Sequence, residues 1–170
     1  PVRGFHQVMN IAALAAGQVV PEQWGERARS VDFYDVKGDL EALFAPRELQ
    51  FAPLSHPALH PGRAAAVRLD GHMIGVLGEL HPVWVQRYDL GTAPVVFEVA
   101  LDAALAARVP AYAEISRMQA VRRDLALVVG NEVPVERVLE VLREAAPALV
   151  REIALFDLYQ GKGIDSDKKS

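Results

Sequence analysis

The chain has 170 residues, enough for one large domain or two small ones. Hydrophobic residues make up 51% and charged residues 24%, which is typical of a folded protein and excludes a disordered or fibrous class. The formal net charge of −4 excludes a strongly basic nucleic-acid binder but leaves room for a local basic patch. No cysteine is present, which excludes disulfides, thiol nucleophiles and thiolate metal sites.

The chain shows no sign of membrane insertion or export. No apolar run reaches the ~18 residues that a membrane-spanning helix needs, and the N-terminus lacks a charged leader before a cleavable apolar region. We therefore expect a soluble protein of the cytoplasm. The chain begins at Pro1 without a Met, so we interpret it as an excised piece of a longer protein.

The first 46 residues predict two helices with a loop and a short strand between them. Apolar residues recur at helical spacing over residues 5–16, and Gly17 then stands where a helix C-terminal glycine would. Asp35 is the predicted N-cap of the second helix, and Pro46 ends that helix. Residues 5–16 are predicted to form an amphipathic helix or the tail of an element whose start is cut away. A loop at 21–30, a strand at 31–34 and a helix follow, and the apolar face of that helix consists of Val36, Leu40, Leu43 and Phe44.

The next segment is predicted to contain a β-hairpin with its turn at Asp70-Gly71. Asp70-Gly71 between two apolar runs is among the strongest hairpin signals. Gly75 and Gly78 in its second strand indicate a bulge or a close backbone approach. Around this hairpin we predict a loop at 53–62, strands at 65–69, 73–77 and 95–99, a helix that Pro82 opens, and a short helix at 102–108.

A domain boundary is predicted near residues 109–117, which carry Pro110 and little periodicity. After it we predict a strand at 124–129, a helix at 133–146 and a strand at 150–159. This β-α-β order is how a ferredoxin-like unit starts. The predicted domains are residues 1–112 and 113–170.

No catalytic constellation is visible. His56 and His60 have the four-residue spacing of a helical metal pair, but the prolines around them exclude a helix, so histidines bonded to backbone are the favoured interpretation. Phosphate loops of the G-x-x-x-x-G-K-[ST] and G-x-G-x-x-G forms are absent, and no serine lies in a nucleophile elbow. A binding or assembly role is therefore favoured over catalysis.

One group of residues could face RNA. Arg122 and Arg123 precede a predicted strand, where they form either a solvated rim paired with Asp124 or a clamp on backbone phosphates. Lys162, between two glycines, either binds a phosphate or occupies a plain turn, and Tyr159 could stack on a base. The candidate basic edge consists of Arg122, Arg123, Lys162, Lys168 and Lys169.

Several long strings resemble the C-terminal part of bacterial phenylalanyl-tRNA synthetase β subunits. They are VDFYDVKGDLEALF (31–44), HPALHPGRAAAV (56–67), GHMIGVLGELHP (71–82), EISRMQAVRRDLALVV (114–129) and LFDLYQGKGIDSDKKS (155–170). Two departures from the family pattern are Met118-Gln119, where an aromatic-Pro pair is usual, and Asp167, where glycine is usual.

The resemblance implies an α+β fold: a class II synthetase-like antiparallel sheet module without a working active site, then a truncated ferredoxin-like β-α-β unit. In the family this part packs against the α subunit of an (αβ)₂ heterotetramer and binds the anticodon region of tRNA. The whole phenylalanine–tRNA ligase uses ATP and magnesium, whereas this chain is expected to hold no cofactor, no metal and no catalytic residue. RNA contacts are expected at Arg122, Arg123, Tyr159 and Lys162.

Two further expectations follow from the resemblance. The third ferredoxin strand should begin near Lys168 and pair with both earlier strands, so we expect the native polypeptide to continue past Ser170. An apolar patch for a partner subunit is expected around Phe5, Val8 and Met9, or around Trp84. The alternative from a different class is a stand-alone ferredoxin-like sensor of small molecules, which would need a pocket with converging polar groups.

Overall fold

The computed structural model describes residues 4, 7–106, 112, 114 and 117–170. These residues form two compact units, one up to residue 106 and the other from residue 112 onward. In the described ranges no helix is both long and apolar enough to cross a membrane.

The first unit is a five-stranded antiparallel sheet with one helix packed on it. Apolar side chains of the sheet and of the first helix form one buried cluster, so the core lies between these two layers. The strands are β1 (Asn10–Ala15), β2 (Leu49–Pro53), β3 (Leu59–Leu69), β4 (His72–Leu80) and β5 (Val95–Ala100), in the spatial order β1-β5-β4-β3-β2. The helices are α1 (Phe33–Phe44), α2 (Pro82–Arg87) and α3 (Leu101–Leu105).

The predicted hairpin is confirmed as β3–β4. Its turn residues Asp70 and Gly71 have φ angles of 51° and 79°, the left-handed pair that a type I′ turn requires. Gly75 and Gly78 mark close backbone approaches, as predicted. A Cβ atom on Gly75 would lie 2.7 Å from the Cα atom of Val99, and one on Gly78 would lie 2.8 Å from the Arg63 carbonyl oxygen.

Helix α1 begins two residues before the predicted N-cap. Asp32, not Asp35, is the N-cap: its carboxylate accepts the backbone N–H groups of Tyr34 and Asp35, and the Asp35 carboxylate accepts the N–H of Asp32. This reciprocal capping box starts the helix early, so the predicted strand at 31–34 is wrong. Val36, Leu40 and Phe44 are buried as predicted, whereas Leu43 is exposed.

The predicted helix at 5–16 is wrong over the described residues, because residues 10–15 form the edge strand β1. Its register with β5 pairs Asn10 with Ala100 and Ala15 with Val95. A short alanine-rich run fits both helix and strand periods, and pairing with a distant strand decides between them. Residues 5 and 6 of this prediction lie outside the described residues.

Other boundaries in this unit shift by a few residues. The predicted loop at 53–62 shrinks to residues 54–58, because β2 ends at Pro53 and β3 begins at Leu59. Strand β2 was not predicted. The helix opened by Pro82 and the strand at 95–99 are confirmed as α2 and β5. The helix predicted at 102–108 is α3, and residues 107 and 108 lie outside the described residues.

The second unit contains β6 (Val129–Gly130), α4 (Val135–Ala145) and β7 (Lys168–Lys169). The helix predicted at 133–146 is confirmed as α4. The strand predicted at 124–129 is wrong except at Val129, and the one predicted at 150–159 does not form. A strand requires a neighbour for its backbone groups, and among the described residues only 168–170 lie beside these segments.

Residues 168–170 reach both segments, as expected for a third strand. Lys168 and Lys169 pair with Gly130 and Val129 in antiparallel register. Ser170 exchanges two backbone hydrogen bonds with Tyr159, with N···O distances of 2.7 and 2.9 Å. The third segment therefore lies between the first and the second, which do not pair with each other.

Candidate nucleic-acid interface

Lys162 lies at the second position of a tight turn that follows Tyr159. The N–H of Ile164 donates to the carbonyl oxygen of Gly161 at 3.1 Å, which closes a four-residue β-turn. Gly163, at the third position, has a φ of +97°, and Lys162 does not have a positive φ. This combination defines a type II turn, which requires glycine at its third position.

The side chain of Tyr159 folds over this turn. Its hydroxyl donates to the Lys162 carbonyl oxygen at 3.1 Å. A Cβ atom on Gly161 would lie 2.8 Å from that hydroxyl oxygen and 3.0 Å from the ring carbon that carries it. Both glycines of the Gly161-Lys162-Gly163 string therefore have a steric reason: Gly161 makes room for Tyr159, and Gly163 supplies the left-handed backbone.

The lysines of the predicted basic edge differ in what they contact. The Lys168 ammonium is 2.6 Å from an Asp165 carboxylate oxygen, and the Lys169 ammonium donates to the Asn131 carbonyl oxygen at 2.8 Å. Lys162 makes no side-chain hydrogen bond or ion pair within the described part of the chain. It is therefore the lysine of this edge whose charge is available to a ligand.

Arg122, the first residue of the arginine pair, lies beside a different aromatic residue. The Arg122 Nε atom is 3.5 Å from an Asp124 carboxylate oxygen, and its guanidinium carbon is 5.8 Å from the Phe156 ring centroid. Arg123 donates from Nη1 to the Arg122 carbonyl oxygen at 3.2 Å. Arg122 keeps 81% of its side chain exposed, so the Asp124 contact is a solvated pair that an anion can displace.

The structure thus groups the four predicted residues in two pairs. Arg122 lies at Phe156 and Arg123 bonds to the Arg122 carbonyl oxygen, whereas Lys162 lies at Tyr159. Over residues 117–170 no hydrogen bond, ion pair or ring contact joins one pair to the other.

Asn131 is a site residue that the sequence did not indicate. Its amide nitrogen donates to the Ser166 carbonyl oxygen at 3.0 Å, and its amide oxygen accepts from the Gln160 side chain at 2.9 Å. Its backbone N–H donates to the Asp167 carbonyl oxygen. One residue after β6 therefore ties together the Tyr159 turn and the start of β7, and only the partners' positions in space reveal this role.

The histidines bond to backbone, as the favoured interpretation predicted. His56 Nδ1 accepts the N–H of Ala58 at 3.3 Å, and His60 Nδ1 accepts the N–H of Gly62 at 3.0 Å. In the described ranges no three His, Asp or Glu side chains cluster as metal ligands would.

An open groove separates the start of α1 from β2 and β3, with a volume of about 550 Å³. Aromatic rings and prolines line it, together with the Lys37 side chain. That ammonium is paired with Glu41 at 2.5 Å and lies 4.6 Å from the Phe51 ring centroid. The polar side chains at this groove are those of Tyr34, Lys37 and Ser55.

The structure describes part of the surface that was predicted to contact a partner subunit. Val8 and Met9 are 64% and 54% exposed, and Phe5 lies outside the described residues. Trp84 is half-buried and donates its indole N–H to the Pro57 carbonyl oxygen at 3.2 Å, so it serves partly as packing. Trp24, in the loop before α1, is fully exposed.

Two family models match the chain in order. The phenylalanyl-tRNA synthetase beta chain CLM domain matches residues 2–101, and the ferredoxin-fold anticodon binding domain matches residues 116–170. The chain belongs to the phenylalanyl-tRNA synthetase beta chain family. The predicted α+β fold class, an antiparallel sheet module followed by a ferredoxin-like unit, is confirmed.

Relatives within the phenylalanyl-tRNA synthetase beta chain family cover the chain from end to end. It is 65% identical over 170 residues to the phenylalanine–tRNA ligase beta subunit of Aromatoleum aromaticum, covering 100% of this chain and 22% of that protein. It is 56% identical over 170 residues to the beta subunit of Dechloromonas aromatica, covering 100% and 21%. It is 49% identical over 166 residues to that of Nitrosospira multiformis, covering 98% and 21%. The chain spans about a fifth of the length of these relatives.

Proposed function

We propose that this chain is part of the beta subunit of a cytoplasmic phenylalanine–tRNA ligase, where it serves subunit assembly and tRNA binding rather than catalysis. The observation that carries the proposal is the ordered match of both family models, 2–101 and then 116–170, with relatives of the same name along the full chain. The two compact units support a division into a catalytic-like module (1–112) and the first half of an anticodon-binding domain (113–170).

The first unit is proposed to pack against the α subunit of an (αβ)₂ heterotetramer. Exposed apolar side chains at Val8, Met9 and Trp24 support this assignment, because interfaces between obligate partners are more apolar than ordinary surface. Two ion pairs of this unit are internal to it: Arg29 with Asp35 at 2.7 Å, and Arg63 with Glu79 at 2.6 Å.

ATP and magnesium, which the whole ligase is proposed to use, are assigned to the α subunit. A nucleotide site needs cations free for phosphates and carboxylates free for the metal. In the described part of the first unit, the charged residues with short contacts pair with one another, as Lys37 does with Glu41. Among the described residues no three His, Asp or Glu side chains cluster as metal ligands would, and no step of the reaction is assigned to this unit.

The second unit is proposed to contact tRNA through phosphates. Arg122, Arg123 and Lys162 supply charge, and Tyr159 lies beside Lys162. Charged groups position an RNA on its phosphates without reading its sequence. The net charge of −4 makes general attraction weak, so binding depends on these local groups and falls with salt.

The test uses the complete beta subunit with its α partner. Arg122→Ala with Arg123→Ala forms one variant and Lys162→Ala another, and tRNA affinity is measured across a salt series. Removing a phosphate-binding side chain is expected to weaken binding and to reduce the salt slope by about 1. Failure of the wild-type beta subunit to co-elute with the α subunit, together with a thermal shift on adding a small molecule, would favour the sensor alternative.

A further inference from the structure

We propose that Tyr159 is a positioning residue whose hydroxyl fixes the Lys162–Gly163 peptide, so that the Gly163 N–H and the Lys162 ammonium bind one RNA phosphate together. This inference rests on the proposed tRNA role and names the atoms that perform it. It differs from a base-stacking role for Tyr159, because it assigns the effect to the hydroxyl rather than to the ring.

A type II turn has a close alternative that Tyr159 excludes. Rotation of the central peptide by about 180° converts a type II turn into a type I turn, and here that peptide joins Lys162 to Gly163. The Tyr159 hydroxyl donates to the oxygen of this same peptide at 3.1 Å. Because flipping the peptide would break that bond, the hydroxyl selects the type II form.

Tyr159 is itself held in place at its backbone. Its N–H and carbonyl exchange two hydrogen bonds with Ser170, at 2.7 and 2.9 Å. The ring then extends over Gly161, where an added Cβ atom would lie 2.8 Å from the hydroxyl oxygen. The two backbone hydrogen bonds therefore hold Tyr159 in a position from which its hydroxyl reaches the turn.

The selected turn leaves two donors available. In a trans peptide the N–H points opposite to the carbonyl, so the Gly163 N–H points away from the Tyr159 hydroxyl. Over the described residues neither the Gly163 N–H nor the Lys162 ammonium has a protein partner. A backbone N–H beside an ammonium is a combination that binds phosphate oxygens.

The test compares Tyr159→Phe with Lys162→Ala and with the double variant, all in the complete beta subunit bound to its α partner. Tyr159→Phe keeps the ring over Gly161 and removes only the hydroxyl. We expect it to weaken tRNA binding by roughly threefold to tenfold, the range for one hydrogen bond, and to lower the salt slope. The double variant should weaken binding by less than the sum of the two single effects, because both changes act on the same phosphate site.

The matched control is Tyr34→Phe, at an exposed tyrosine of the first unit whose hydroxyl contacts no described residue. It should leave both affinity and slope unchanged. A weakened Lys162→Ala variant with an unaltered Tyr159→Phe variant would overturn the inference and leave the proposed function standing. Normal tRNA binding by Lys162→Ala, with weakened binding by the arginine variant, would also overturn the inference alone. Normal binding by all of these variants would overturn the proposed tRNA role of this edge.

Discussion

Nine apolar side chains of α1 and the sheet form one buried cluster in the first unit, whereas no described side chain of the second unit reaches the same burial. In the second unit Leu125, Phe156 and Leu158 stay more than half exposed. What holds that unit together is hydrogen bonding: the β6–β7 pair, the Tyr159–Ser170 pair and the side chain of Asn131. The same chain thus gains stability by apolar burial in one unit and by polar links in the other.

The largest loss of stability is expected from removing a buried side chain of the first unit. Leu77 is completely buried at the centre of the sheet, so Leu77→Ala should lower the free energy of unfolding by about 2–5 kcal/mol. The measurement is guanidinium unfolding followed by far-ultraviolet circular dichroism, which reports on both units. Leu158→Ala in the second unit should cost less than about 0.5 kcal/mol. Equal destabilisation at Leu77 and Leu158 would contradict the contrast.

Backbone contact between strands adds a second, smaller effect in the first unit. Gly75→Ala places a methyl group against the backbone of β5, 2.7 Å from the Val99 Cα atom. We expect a destabilisation of about 1–3 kcal/mol from the forced separation of the two strands. Gly91→Ala is the matched control, because a Cβ atom there meets no atom within 4 Å. A similar stability for both variants in thermal unfolding would exclude the tight β4–β5 approach.

Some elements of the fold could be predicted from the sequence, and others could not. The β3–β4 hairpin and helix α4 were predictable, because the Asp70-Gly71 turn and the apolar periodicity of α4 are local signals. Strand β1 was not predictable, because residues 10–15 form a strand by pairing with β5, almost ninety positions further along the chain. At the site, Lys162 and Tyr159 could be named from residue type. Their mutual hydrogen bond could not, since it depends on which way one peptide of the turn faces.

A moderate loss of stability is expected from removing the Asn131 hydrogen bonds of the second unit. Asn131→Ala removes the bond to the Ser166 carbonyl and the bond from Gln160. We expect amide hydrogen exchange to speed up at Ser170 by a factor that corresponds to about 1–2 kcal/mol. Exchange in β3 and β4 should not change. Gln160→Ala removes only one of the two bonds and should have the smaller effect, so the reverse order would argue against Asn131 as the central link.

The smallest effect concerns a solvated charge pair of the first unit. The hydrogen bond from Arg29, followed by the one from the Asp32 backbone, lowers the pKa of Asp35 to about 2 from its ordinary 3.8. Because the folded pKa is the lower one, this contribution to stability is present above about pH 4 and is lost as the pH falls toward 2. Arg29→Gln should move the pKa of Asp35 back toward 3.8, as measured by carboxyl-carbon NMR titration. An unchanged titration midpoint would exclude Arg29 as the cause.

The register between β1 and β5 also constrains the order in which the first unit folds. Strands β3 and β4 are joined by a two-residue turn, whereas Asn10 pairs with Ala100, so closing the second pair costs far more chain entropy. We expect the β3–β4 hairpin to form early and β1 to dock last. During translation, β1 leaves the ribosome before β5 and remains without this partner until β5 emerges.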